Sequence, residues 1–391
     1  MRDLRERLDR ELRSIVPDPD ARVAVDRRVA RRRRHRQLLL APLSVLLAAG
    51  LIVGLTDVFS LRPRPALVNG SIRLPGRPLQ AIVEGDALWV LTDEPGCEGP
   101  VCAGDLVKVD IVHNRVVGDV PVRSPHGLAA GNGSIWVTSF VDDTLFRVDP
   151  ASAEVEATIR LRLPFEASAN DRAFLPFDLD AIGDAVWIST GRAAVARVDP
   201  RTSRVVDVVV LPDHTGGNDV SIGLEDVWVT GDLNGAVRID PNTNRVADVI
   251  GVEDEAGRRL SANQLVAGDG SVWVLGNWGR PVGADGSEYV AGPGQALVRI
   301  DGTTGAVASI REVPDIREGA AWLLEDEDVW LVQRDGAEMR RVETATDELG
   351  PTVSVPFGRP LAVDGSRIWS GAGESVRSWE LPASAFAPAP S

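Results

Sequence analysis

Residues 127–159 read GLAAGNGSIWVTSFVDDTLFRVDPASAEVEATI. Gly127-Leu128-Ala129-Ala130 is a short apolar run that stops at the turn formers Gly131-Asn132-Gly133. Ile135-Trp136-Val137-Thr138-Ser139 follows, then Leu145-Phe146-Arg147-Val148, and beyond Asp149-Pro150 comes Val155-Glu156-Ala157-Thr158-Ile159. Four short runs rich in β-branched and aromatic residues, punctuated by Gly, Asn, Asp and Pro, predict four antiparallel strands joined by hairpins.

The phrase returns along the chain. Trp89, Trp136, Trp187, Trp228, Trp273, Trp330 and Trp369 are separated by 47, 51, 41, 45, 57 and 39 residues, a mean of about 47. That period is the length of a four-stranded propeller blade. A basic residue, one apolar residue and an acid recur downstream: Lys108 with Asp110, Arg147 with Asp149, Arg197 with Asp199, Arg238 with Asp240, Arg299 with Asp301 and Arg341 with Glu343. An active site is needed once, whereas a strand-ending turn is needed in every blade, so these pairs are expected to be structural. The recurring Trp residues are expected to pack between neighbouring blades.

The last copy ends its third strand near Leu381 and has no fourth, while a spare strand, Ser71-Ile72-Arg73-Leu74, precedes the first copy. Pairing the two closes the ring and removes its open edges. The fold class is therefore all-β: a seven-bladed β-propeller over residues 71–382, closed by an N-terminal strand. The Ala- and Pro-rich tail 383–391 reads as disordered.

Trp136-Val137-Thr138-Ser139 and Trp228-Val229-Thr230-Gly231, each followed by Arg-x-Asp-Pro and a Val-rich strand, resemble YVTN-type repeats. That family and its relatives, the virginiamycin B lyase-like proteins of the quinoprotein amine dehydrogenase-like superfamily, form seven-bladed propellers, which is the fold the resemblance implies for residues 70–382. The lyases use His and Glu near the channel with a divalent metal. Here His126 is the sole His of the expected channel ring and no repeat-phased His and Glu pair accompanies it, so a lyase or hydrolase at the channel mouth is the alternative reading.

Charge divides the chain. Overall there are 42 basic and 57 acidic side chains, a net charge of −15, which argues against a nucleic-acid partner. Residues 1–37 nonetheless hold 13 Arg against 7 acids. Leu38 to Thr56 then run for 19 residues without a charge, about 28 Å as a helix and enough to span a bilayer. Arg31 to Arg34 and Arg36 precede the run and Asp57 follows it, so the positive-inside rule predicts a single-pass cell-membrane protein with a cytoplasmic N-terminus and an extracytoplasmic propeller. A cleaved signal is the rival reading, but its apolar core is normally shorter and no Ala-x-Ala-like site closes the run. Leu4, Leu8, Leu12 and Ile15 recur at helical spacing in the basic segment 1–37. It reads as a solvated stub holding anionic lipid, or as a docking stripe for a cytosolic regulator. Residues 57–70 form the linker.

In a propeller blade the first strand lines the channel, and the loops before strand one and between strands two and three share a face. The long connections Leu163–Phe177, Leu211–Asp219, Gly251–Ala262 and Gly276–Gln295 all fall there. The closing strand runs toward that face, so the tether arrives from the opposite one. Gln80, His126, Asp178, Asn218, Asn263, Ala320 and Arg359 align near the starts of the first strands, and six of the seven are polar. They are expected to ring the channel mouth and present donors and acceptors to a ligand. Trp278, with Tyr289, is expected to add an exposed aromatic surface for a carbohydrate or protein, against the alternative that this loop packs on its own blade.

Cys97 and Cys102, in the connection between strands two and three of blade one, are expected to form a disulfide after export. No Gly-rich phosphate loop, Ser-His-Asp arrangement or paired zinc motif occurs in the sequence, so no catalytic residue, metal or cofactor is assigned. The function expected is that of a membrane-anchored extracytoplasmic binding, sensing or scaffolding module for a protein, glycan or small ligand.

Overall fold

The computed structural model describes residues 70–386 except 98–100, 163–174, 191–193, 213–218, 232–234, 269, 283–287, 314–320, 326–327, 334–337 and 345. The chain divides into two units, Met1–Arg62 and Pro63–Ser391. The basic segment and the apolar run 38–56 lie outside the described residues. Among the described residues no helix is long and apolar enough to cross a membrane.

Seven antiparallel sheets follow one another, with their strands in sequence order in blades one to six. Blade two shows the pattern: Pro125–Gly131, Ser134–Ser139, Thr144–Val148 and Val155–Arg160. The innermost strands of the other blades are Arg77–Glu84, Pro176–Ile182, Val220–Gly223, Arg259–Gly268, Ala321–Glu325 and Arg359–Asp364. Blade six splits its outermost strand into Glu348–Leu349 and Val353–Ser354. Blade seven closes the ring: the strand Ile72–Arg73 lies outside Ser375–Glu380, with Ile72 opposite Val376 and Arg73 opposite Ser375. The Leu74 amide donates to the Glu374 carbonyl at 2.8 Å. Because this pairing is antiparallel, the chain enters at the Glu380 end, the face of the short turns.

Strand alternation sends successive side chains to opposite faces of each blade, and the buried apolar residues sort into seven clusters, one per blade interface. Each cluster holds one repeat Trp. Trp89 packs with Leu128 and Val137 between blades one and two, and Trp369 packs with Ile72, Leu74 and Ala81 at the closing seam. All seven are buried.

The recurring basic residue and acid prove to be a staple and a turn cap. Lys108, Arg147, Arg197, Arg238 and Arg299 lie 5.5, 5.7, 5.5, 5.6 and 6.0 Å from the ring centre of their own blade's Trp. Each then reaches the outer turn of the next blade: Lys108 donates to the Pro150 carbonyl at 2.6 Å, Arg147 to Pro200 at 2.6 Å and Arg197 to Pro241 at 2.7 Å. The acid accepts from its own turn, as Asp149 does from the Ala151 and Ser152 amides at 2.8 and 2.7 Å.

Two expectations change. Gly276–Gln295 is not an irregular loop: strands Ser271–Val282 and Glu288–Asp301 run on to make a long hairpin, pairing Gly279 with Ala291 and Val282 with Glu288. The tail is ordered as far as Phe386, because Ala383–Phe386 forms a 3-10 turn whose Phe386 ring packs edge-on to Trp330 at 5.7 Å. Cys97 and Cys102 are disulfide-bonded.

Candidate functional site at the channel mouth

An innermost strand is an edge strand, since its channel side has no neighbour to pair with. In five blades that strand shifts register close to its start, at Pro78/Gln80, Pro125/Leu128, Pro176/Leu179, Ala262/Gln264 and Pro360/Ala362. Proline lacks the amide hydrogen and is tolerated on such an edge, and a bulge re-aims the side chains beside it.

The bulges explain why the expected ring is not a single ring. In blade two His126 and Gly127 together oppose Thr138, and in blade three Phe177 and Asp178 together oppose Ser189. His126 therefore corresponds to Phe177, and Gly127 to Asp178. Gln80 opposes Leu91 and Arg359 opposes Gly371, whereas Asn263 is the extra residue of its bulge. Gln80 is half-buried, and Asn263 and Arg359 are exposed. Asn218, Ala320 and His214 lie outside the described residues.

Blades two to four differ from the rest at this level. A hydroxyl two residues after the repeat Trp accepts the amide of the inner strand: Thr138 from Gly127 at 2.7 Å, Ser189 from Asp178 at 3.0 Å and Thr230 from Asp219 at 3.0 Å. Gly127 must be glycine here, because a Cβ would lie 2.6 Å from Leu179 Cδ2 and 2.8 Å from the Phe177 carbonyl. The residues before the inner strands of blades two and three, Ser124 and Leu175, have φ of 48° and 45°. Such values are rare outside glycine, and in Leu175 they mark a strained approach to the site.

Two groups assemble on this frame. His126 Nδ1 lies 2.9 Å from the Phe177 carbonyl. Its ring sits 4.6 Å from that of Phe177 and 5.6 Å from that of Phe140, and the two Phe rings meet edge-on at 5.2 Å. The imidazole is exposed while both Phe rings are half-buried. Crowding by these walls lowers the His126 pKa, an effect that the Phe177 carbonyl and the Asp178 charge oppose.

Below it, the carboxyl groups of Asp178 and Asp219 hydrogen-bond to each other. Asp178 is pushed well above the usual carboxylate range, first by burial and then by the Asp219 charge. Burial also raises Asp219, although its bond with Asp178 pulls the other way, so the pair favours holding one proton between its two carboxyls. Both carboxyls also serve the bare edges of the next blades: Asp178 accepts the Val220 amide at 3.3 Å and Asp219 the Leu265 amide at 2.7 Å. Asp180 and Ser221 repeat this at the amides of Ile222 and Ala267, at 2.7 and 3.1 Å. Polar residues in this sector thus satisfy the channel-facing backbone, which is why packed strands carry them.

Sequence reasoning named His126 and Asp178 but missed Phe140, Phe177 and Asp219. Trp278 is only 1% exposed, opposite Leu260 and beneath Arg258, whose guanidinium carbon lies 5.2 Å from its ring centre, so it presents no aromatic surface to a partner. Tyr289 pairs with Pro281 across the same hairpin. Among the described residues, no group of three or more His, Cys, Asp or Glu could hold a metal ion.

No family model matches the chain, and no curated protein matches it. Among solved structures, hydrazine synthase of Kuenenia stuttgartiensis is similar, with 14% identity, a TM-score of 0.55, and coverage of 82% of this chain and 98% of that one. A likeness at that identity speaks for the fold alone. Sheet order, the closing strand and this likeness together identify a seven-bladed β-propeller.

Proposed function

We propose that the chain is a membrane-anchored extracytoplasmic binding module whose ligand, a protein, glycan or small molecule, sits at the channel mouth against His126, Phe140 and Phe177. The observation that carries this reading is the entry of the closing strand from the short-turn face, opposite the mouth. The apolar run 38–56, long enough as a helix to span a bilayer, supplies the anchor of this reading. Half-buried rings beside a polar imidazole offer apolar area with a hydrogen-bonding handle.

A lyase or hydrolase at the same mouth is the second reading. It draws on the Asp178–Asp219 pair, in which burial makes a carboxylic acid hold its proton to higher pH than usual beside a second carboxyl, a pairing of proton donor and acceptor. Protease added to intact cells tests the topology: the ring is removed while the first 37 residues survive, and a protected ring overturns the reading. Asp178→Asn separates the two activities, because binding persists under the first reading and turnover is lost under the second.

A further inference from the structure

The chain contains a single lysine, Lys108, at a staple position that is arginine in the other four stapled blades. Blade three is its nearest counterpart, since Asp184-Ala185-Val186-Trp187 matches Asp86-Ala87-Leu88-Trp89 residue for residue in type. There the Arg197 guanidinium works in two directions, one arm donating to the Pro241 carbonyl at 2.7 Å and to Asn244 Oδ1 at 2.8 Å and the other to both Asp184 oxygens at 3.3 Å. An ammonium has no second arm. Lys108 spends its protons on the Pro150 and Ala151 carbonyls at 2.6 and 2.8 Å, and among the described residues no cation reaches Asp86 or Glu84.

The half-filled junction is a cavity of about 500 Å³ between the short turns of blades one and two. Glu84, Asp86, Lys108, Asp110 and His113 line it, with Ala87 and Pro150 among the apolar walls. Asp110 stays ionised, held low by the His113 amide and ring.

We propose that this cavity binds an alkylguanidinium, the group an arginine side chain presents, seated on Asp86 and Glu84 where blade three holds its own arginine. The site lies on the face opposite the channel mouth and is independent of it. The pairing is solvent-exposed, so it is weak and sensitive to salt.

The test uses the full-length chain titrated with N-acetyl-L-arginine amide, observed through the His113 ring in a carbon–proton NMR spectrum, where only four histidines contribute. The expected result is saturable movement of the His113 signal that weakens at least tenfold in Lys108→Arg, which fills the cavity from within, and that persists in Lys108→Met. N-acetyl-L-alanine amide leaves the signal in place. No saturable shift up to tens of millimolar, an equal response in Lys108→Arg, or an equal response to the alanine probe overturns the proposal.

Discussion

Asp178 lies in the inner strand of blade three and Asp219 immediately precedes that of blade four, and their carboxyl groups share a hydrogen bond while each also accepts an amide of the next blade. One pair of side chains therefore links blades three, four and five at the channel mouth. It can do so only while one of the two carries a proton.

The pH dependence follows from the direction of the shift. Asp178 holds its proton to a higher pH in the folded chain than in the unfolded one, so its contribution to stability is complete below the ordinary carboxylate pKa and is lost as pH rises through the folded value. Asp178→Asn keeps a donor toward Asp219 and cannot ionise. The melting temperature of this variant relative to wild type is expected to rise with pH across that window, as followed by thermal unfolding from acid to neutral pH. Parallel profiles would show that the proton is not shared.

Ring closure rests on a two-residue strand. Ile72 and Leu74 are 4% and 3% exposed in the cluster around Trp369. Ile72→Ala is expected to cost about 2–4 kcal/mol, and Ile72→Asp to open the seam. Limited proteolysis should then cut first at the junction of blades seven and one.

Arg238 and Asp226 form an enclosed ion pair between neighbouring strands of blade four, with side chains 25% and 10% exposed and a contact of 2.6 Å. Removing either partner alone is expected to cost about 3 kcal/mol, because a mostly buried charge is left without its counterpart. Arg238→Met with Asp226→Leu should cost less than the sum, which a double-mutant cycle in chemical denaturation measures.

The Cys97–Cys102 bridge spans a separation of only five residues. Chain-entropy reasoning for so short a loop gives about 2 kcal/mol. Intact mass of the purified protein should rise on alkylation only after reduction, and the reduced protein should unfold at lower denaturant concentration.

The blade count, the closing strand, the interface role of the Trp residues and the structural role of the basic and acidic pairs were all legible in the sequence, because each repeats and repetition averages out local noise. The mouth was legible only in part. A one-residue bulge moves a position to the other side of its strand without leaving a mark in an ungapped alignment, so His126 was aligned with Asp178 when it matches Phe177. Asp219 sits one residue beyond the expected Asn218; the hydroxyls of Thr138, Ser189 and Thr230 at a constant offset from Trp were the signal that distinguished blades two to four. Trp278 was misjudged because the alternation of a strand continues through what composition marks as a loop.

The central claim is that the mouth at His126 is where a ligand engages. A single lysine makes amine-directed cross-linking blind to that face, so a photoreactive phenylalanine analogue placed at position 140, with a second at the exposed outer-strand position Val206 as control, is the direct measurement on intact cells. Adducts that form from position 140, are absent from position 206 and disappear with His126→Ala are the predicted result. Adducts from position 206 alone, or adducts from position 140 that are unchanged by His126→Ala, would contradict it.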